Sequence, residues 1–292
     1  MGHSVHAQSG NAVDVPSLSV VLPCYRSATL AETSAALLAD YLTDVGVSYE
    51  IIVVDDGGGD FRDDAFADRD DVRLLRLERN RGKGAAVRAG MLAARGDVRV
   101  FTDVDLPYDL DLILLMRECI RAQGYHLVIG DRTLLGSSYS EVTSPRRKAA
   151  SALFSAFVGR IVTGGFFDTQ CGLKAVRGDL ADLLFPLQQI DRFAFDVELM
   201  YLALKHRLDI KRIPVQLRNN QTSTVRLFRD SARGVTDVFR IKYHQLRGHY
   251  RDEAIDRLLH AEFVAMRQRV VDGTGRCEDV STEPPALTAR SR

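Results

Sequence analysis

The sequence predicts an α/β protein built on an open, mostly parallel sheet with helices on both faces. Three observations carry that prediction. Short apolar runs recur at Leu18 to Leu22, Glu50 to Val54, Val72 to Leu77, Asp97 to Phe101 and His126 to Ile129, as strands buried on both faces require. Segments with apolar residues at helical spacing lie between them, and strand–helix alternation implies parallel strands. Four clusters of acids, bases and glycines follow the runs: Asp55 with Asp56, Asn80 to Gly84, Asp103 with Asp105, and Asp131 with Arg132. In an open parallel sheet the carboxyl edge is where ligands bind.

Leu18 to Leu22, stopped by Pro23, opens the sheet. Thr29 to Leu42 follows as a helix, with Leu30, Leu37, Leu38 and Tyr41 at helical spacing. The second strand ends in Asp55, Asp56 and three glycines, where backbone can approach a ligand closely. After the third strand, Asn80 to Arg95 begins with small and basic residues and continues as an alanine-rich helix. The fourth strand leads into VFTDVDLPYDLD, Val100 to Asp111. On an extended backbone residues two apart share a side, so Asp103 and Asp105 can face one hard cation. Asp109 to Ala122 is helical, with Leu112, Leu115, Met116 and Cys119 as its apolar face.

Beyond Gly130 the pattern changes. Pro145 to Val162 reads as a basic-headed amphipathic helix, Gly164 to Val176 as a glycine-punctuated mixed segment, Phe193 to His206 as a helix and Ile210 to Leu217 as a strand. Leu227 to Arg247 is a helix with Leu227, Phe228, Val235, Val238 and Phe239 opposite a basic face. The expected organisation is a tail over 1–17, one domain over 18–250, an appended helix over 251–271 and a polar, disordered tail over 272–292.

The 292 residues are 46% hydrophobic and 27% charged with zero net charge, an ordinary globular composition. The charge is uneven. Asp55 to Asp71 carries eight acids against two arginines, and Lys205 to Arg251 twelve Lys or Arg against three Asp. The acidic stretch suits a metal or surface loops; the basic one suits an anionic partner or a solvated helix face. Cys24, Cys119, Cys171 and Cys277 show neither zinc-ligand spacing nor a disulfide framework, so a cytoplasmic setting is expected. No window approaches a membrane span, and the first seventeen residues lack the apolar core of a signal peptide. Membrane contact, if made, is expected to be peripheral.

The acids after the second strand can accept hydrogen bonds from a nucleoside or cap a turn. Arg81 and Lys83 at a helix start favour a pyrophosphate. There is no Walker spacing and no G-x-G-x-x-G after the first strand. Two carboxylates with a divalent metal beside a nucleotide pyrophosphate suit chemistry in which a phosphate leaves: sugar transfer from a nucleotide sugar, or nucleotide transfer onto a sugar phosphate. The loop PCYRSATL has one basic residue and no glycine, which favours sugar transfer.

VVLPCY, VVDDGGGD, NRGKGAAVRAGMLAARGD, FTDVDLPYD, DTQCGLKAV and RFAFDVELM, in that order, resemble the family 2 glycosyltransferases of the GT-A fold. Within that family the resemblance is to the branch that glucosylates dolichyl and polyprenyl phosphates, and it spans Leu18 to Arg247. It implies a metal-dependent, inverting transfer of a hexose, typically from UDP-glucose, to a polyprenyl phosphate. Pro23, Tyr25, Asp55 and Asp56 would meet the nucleoside, Lys83 the nucleotide, and Asp103 with Asp105 a Mg²⁺ or Mn²⁺ ion. Asp168 and Gln170 would line the sugar and acceptor pocket, Asp196 and Glu198 would lie on a helix beneath it, and Arg132 would meet the acceptor phosphate. Catalysis would then rest on Asp103, Asp105, Asp168 and Arg132. Alternatively, Asp168 and Asp196 cap helices or pair with Arg192, and Phe193 and Phe195 belong to the core.

Three departures stand out: Arg26 and Ser27 replace the family's usual Asn-Glu, Gly58 its usual Ser, and the membrane-spanning segments of many members have no counterpart in these residues. The expected partners are a nucleotide sugar and a phosphorylated lipid, at the cytoplasmic face of a membrane, with no nucleic acid; Asp252 to Val271 offers a surface for a homo-oligomer. The competing enzyme reading is a soluble member of the family acting on a small, phosphorylated acceptor. The non-enzyme reading, motivated by the altered PCYRS stretch, is a nucleotide-sugar binder.

Overall fold

The computed structural model describes residues 15–137, 168, 171–192, 194–216 and 227–271. The chain divides into two compact units, Met1–Arg251 and Asp252–Arg292. The first contains β1 (Leu18–Cys24), α1 (Ala28–Asp44), β2 (Tyr49–Asp55), β3 (Val72–Arg76), α2 (Lys83–Ala93), β4 (Val98–Phe101), α3 (Asp111–Arg121) and β5 (Leu127–Asp131). It continues with β6 (Lys174–Arg177), α4 (Gly178–Leu184), α5 (Phe195–Lys205), β7 (Ile210–Pro214) and α6 (Leu227–Leu246). In the second unit, α7 spans Glu253–Val271.

The strands form one sheet in the order β3-β2-β1-β4-β6-β5-β7. β1 pairs in parallel with β2 and β4, and β5 with β7, as the apolar runs predict. Every residue of β1, β4 and β5 is buried. β6 is the departure. It lies antiparallel between β4 and β5, with Lys174 opposite Phe101 and Ile129. Its four residues, KAVR, hold a short apolar run bounded by charges, so periodicity alone gave it no strand character. Because it runs against its neighbours, β6 begins at the edge where the parallel strands end.

The helices bury only part of the faces their large residues mark: Leu38, Met116, Cys119 and Val238 are inside as expected. α1 covers the sheet with Ala28, Ala31, Ala35, Leu38, Ala39 and Leu42, while Leu30 and Leu37 are exposed. Small residues let this helix pack close to the sheet. α3 buries Ile113, Met116, Cys119 and Ile120 and leaves Leu115 outside. On α6, Val238 and Ile241 are buried but Phe239 is 59% exposed, against the expectation that it shares the inner face. The expected helix over 145–162, Phe193, Cys277 and both tails at 1–14 and 272–292 lie outside the described residues, as do the side chains of Leu227, Phe228 and Val235. Among the described residues no helix is long and apolar enough to cross a membrane.

Candidate active site

The carboxyl ends of β1, β2, β4 and β5 and the amino end of β6 meet at one edge of the sheet. At β1, Pro23 is buried and Tyr25 is exposed, with the Arg26 guanidinium carbon 5.2 Å from the Tyr25 ring centre, within cation–π range. At β2, Asp55 is buried and accepts the N–H groups of Gly58 at 2.7 Å and Gly59 at 3.2 Å. Asp56, also buried, accepts those of Arg81 and Gly82, each at 2.8 Å. These two acids shape the glycine loop and the entry to α2.

The start of α2 is held from the other side by Asp191. Its carbonyl accepts the Ala85 N–H at 3.0 Å, and its carboxylate accepts Arg81 at 3.1 Å and Arg88 at 2.5 Å. A Cβ on Gly84 would lie 2.6 Å from the Ile190 carbonyl oxygen, so the glycine is a condition of this packing. The first turn that the sequence offers to a pyrophosphate is therefore partly closed by the chain itself. Glu198 of α5, fully buried, fixes this wall by accepting the N–H groups of Gln189 and Ile190, each at 2.9 Å.

The acids after β4 do not continue the strand. The Leu106 N–H donates to the Asp103 carbonyl at 3.0 Å and Leu106 has φ +43°, so Asp103 to Leu106 is a tight turn. Asp103 and Asp105 therefore do not share a side of an extended strand as expected; the turn brings their carboxylates near each other. The Lys83 ammonium donates to Asp103. Burial works against the charge of Asp103, but Lys83, with help from Lys174 and Arg132, holds the carboxyl below its usual pKa. Burial and the neighbouring Asp103 charge push Asp105 up. Two hard oxygen ligands whose charges repel are a natural place for a divalent cation.

Asp103 rests against Gly172, where a Cβ would collide with its Oδ2. Next to Gly172, the Cys171 thiol is buried and lies 3.4 Å from the Tyr108 hydroxyl. Asp168 pairs with Arg132, not Arg192: its carboxylate accepts the Arg132 backbone N–H at 2.7 Å, Nε at 2.9 Å and Nη2 at 2.7 Å. Burial opposes the Asp168 charge, but the guanidinium outweighs it and keeps the carboxyl below the usual range. Asp196 pairs with the fully buried Lys174 at 2.5 Å. Phe195 is core, 5.7 Å from the Phe101 ring centre. Gln170 lies outside the described residues.

Sequence reasoning gave no role to Gly172, Lys174 or Asp191. Lys174 opens a strand that periodicity does not show, and nothing in the spacing marks Asp191. Two surface cavities of about 570 and 350 Å³ flank α1 and share no residue with this edge.

A glycine loop shaped by two aspartates, a two-acid turn and the Arg132–Asp168 pair thus share the edge of a mostly parallel sheet at which α/β enzymes bind their ligands. Residues 19–181 match the family described as Glycosyl transferase family 2. The chain belongs to that family and is a glycosyltransferase. It is 31% identical over 256 residues to a dolichyl-phosphate beta-glucosyltransferase of Dictyostelium discoideum, covering 82% of this chain and 78% of that protein. The Drosophila melanogaster protein of the same description is 32% identical over 264 residues, covering 84% and 80%. Among solved structures, glucosyl-3-phosphoglycerate synthase from Mycobacterium tuberculosis, in complex with Mn²⁺, UDP-glucose and phosphoglyceric acid, has a TM-score of 0.55 at 19% identity, covering 77% of this chain and 78% of that one. Mannosyl-3-phosphoglycerate synthase from Rubrobacter xylanophilus has a TM-score of 0.52 at 17% identity, covering 80% and 74%. Identities this low show the fold alone, and that fold is GT-A.

Proposed function

We propose that the protein transfers glucose from UDP-glucose, with inversion and with a bound Mg²⁺ or Mn²⁺, to the phosphate of a dolichyl- or polyprenyl-type lipid. The observation that carries this reading is Arg132, a guanidinium fixed by Asp168 at the same sheet edge as the Asp103–Asp105 turn. A phosphate acceptor is ionised near neutral pH, so it needs a placed cation more than a base. Asp168 suits that division of labour: held anionic and engaged by Arg132, it orients the guanidinium. The glucosyl donor and lipid phosphate are favoured by the relatives' names, and UDP-glucose and Mn²⁺ by the ligands of the structural neighbour.

Asp103 and Asp105 would hold the metal. No cluster of three or more candidate ligands occurs among the described residues, so the two carboxylates are the protein groups that would hold it. When bound, the metal neutralises charge developing on the departing nucleoside diphosphate. Lys83 would face that diphosphate; Pro23 and Tyr25 would border the nucleoside, with Asp55 and Asp56 shaping its loop, and Gln170 would lie by the sugar. Residues 18–250 would form the transferase domain, with α7 appended. A lipid acceptor brings the enzyme to the cytoplasmic face of a membrane as a peripheral protein, and basic α6 suits an anionic surface.

A second reading, a soluble phosphorylated acceptor, is favoured by the phosphoglyceric acid of the structural neighbour. A panel of UDP- and GDP-sugars with Mn²⁺ or Mg²⁺, offered a short-chain polyprenyl phosphate or phosphoglyceric acid, separates them. UDP release with glycolipid formation is the expected result. Product from the soluble acceptor alone would favour the second reading, and pyrophosphate release would mean nucleotidyl transfer.

A further inference from the structure

Lys174 is buried completely at the start of β6. Its ammonium donates to Asp196 Oδ1 and to the Cys171 carbonyl, each at 2.5 Å, and lies 5.5 Å from the centre of the Phe101 ring. Asp196, from the first turn of α5, is 4% exposed. Such a pair is weak evidence of stabilisation, since apolar residues of the same volume often serve as well.

The neighbours of the pair indicate another use. Cys171, whose carbonyl Lys174 holds, is followed by Gly172, the residue against which the Asp103 carboxylate rests. Phe101, beneath the ammonium, is the last residue of β4, two before Asp103. Lys174 thus touches both the strand end from which the acidic turn springs and the peptide that backs its first carboxylate. Asp196 in turn fixes the ammonium from α5.

We propose that Lys174 and Asp196 are positioning residues for Asp103, setting the spacing between the end of β4 and the Cys171–Gly172 peptide so that the acidic turn can take a metal-bound nucleoside diphosphate. The proposal rests on the reading of Asp103 and Asp105 as metal ligands. It assigns to a buried ion pair the part that hydrogen-bonded outer partners play for metal ligands.

The test is the double variant Lys174→Met/Asp196→Asn, which removes both charges at nearly constant volume and leaves no buried charge unpaired. Its thermal midpoint, its calorimetric affinity for UDP with Mn²⁺, and its donor and acceptor kinetics are compared with wild type. The expected result is a midpoint within a few degrees of wild type and an affinity for Mn²⁺ with UDP lower by roughly 10- to 100-fold. Donor kcat/KM falls by the same factor while the acceptor KM is unchanged. Lys174→Gln/Asp196→Asn, which also leaves no buried charge unpaired and keeps polar groups to bond across the pair, loses several-fold and serves if the first double variant folds poorly. Wild-type affinity in either folded variant overturns the positioning role and leaves the metal reading standing. A wild-type protein that binds neither Mn²⁺ nor UDP overturns both.

Discussion

Arg132 closes on Asp168 with Nε at 2.9 Å and Nη2 at 2.7 Å, while its own backbone N–H reaches the same carboxylate at 2.7 Å. The aspartate side chain is 5% exposed and the arginine 29%, so the carboxylate is sealed in and the guanidinium retains a face to the solvent. Asp168→Asn keeps the shape but weakens the grip, and the KM for the acceptor phosphate is expected to rise at least tenfold with little change in the donor KM. Arg132→Ala strands the buried carboxylate at a cost of about 2–4 kcal/mol, toward the low end for a broken buried pair because Arg132 is partly solvated. Thermal melts and acceptor titrations of both variants check this.

Gly172 and Gly59 make a paired test of space against strain. A Cβ at Gly172 collides with the Asp103 carboxylate, whereas at Gly59, with φ +71°, nothing lies within 4 Å. Gly59→Ala is expected to lose roughly 1–2 kcal/mol through left-handed backbone strain and to keep its affinity for Mn²⁺ with UDP. Gly172→Ala is expected to melt near wild type and lose most of that affinity. Calorimetry of both variants reads the contrast, and equal affinities would refute it.

Away from the site, Glu50 gives the fold an acid limit. Its carboxylate accepts Ser19 Oγ at 2.7 Å, the Arg95 N–H at 2.6 Å and Arg73 at 2.8 Å. Burial opposes its charge, but these partners hold the pKa below the ordinary 4.5. With the folded value depressed, the stabilisation is complete above about 4.5 and is lost as pH falls through the folded pKa. Between pH 6 and 3 the wild-type midpoint should therefore fall more steeply than that of Glu50→Gln, whose side chain does not titrate. Parallel slopes would remove Glu50 from the account.

What the sequence revealed and what it hid divide along physical lines. The parallel strands were legible because strands buried on both faces carry unbroken apolar runs, and their ends were legible through Asp55, Asp103 and Asp131. β6 was not, since its defining residue is a buried lysine whose charge is matched by Asp196, 22 positions further on. Helix faces were misread where alanines do the packing, as on α1. Arg26 shows a subtler limit: its φ of +51° places it in the left-handed region, which Asn tolerates well, as the family's usual Asn would. The choice of residue there carries a backbone constraint that an arginine conceals.

A metal ion held by Asp103 would compete with Lys83 for the same oxygen. The ammonium donates to Asp103 Oδ1, with the lysine 19% and the aspartate 36% exposed, so solvent screening limits the pair to about 1 kcal/mol. Burial disfavours the Lys83 charge, but Asp103 outweighs it and raises the lysine pKa, so the residue is cationic throughout the working range. In Lys83→Met, Mn²⁺ alone meets an Asp103 without a rival cation, and its affinity should rise roughly fivefold, the equivalent of that 1 kcal/mol. With UDP present the sign reverses. The variant lacks a cation for the diphosphate, and affinity for UDP with Mn²⁺ should drop by an order of magnitude or more. Titrations of Mn²⁺ followed by electron paramagnetic resonance, with and without UDP, read both signs in one protein. A fall in both would mean that Lys83 holds the acidic turn together and does not compete for it.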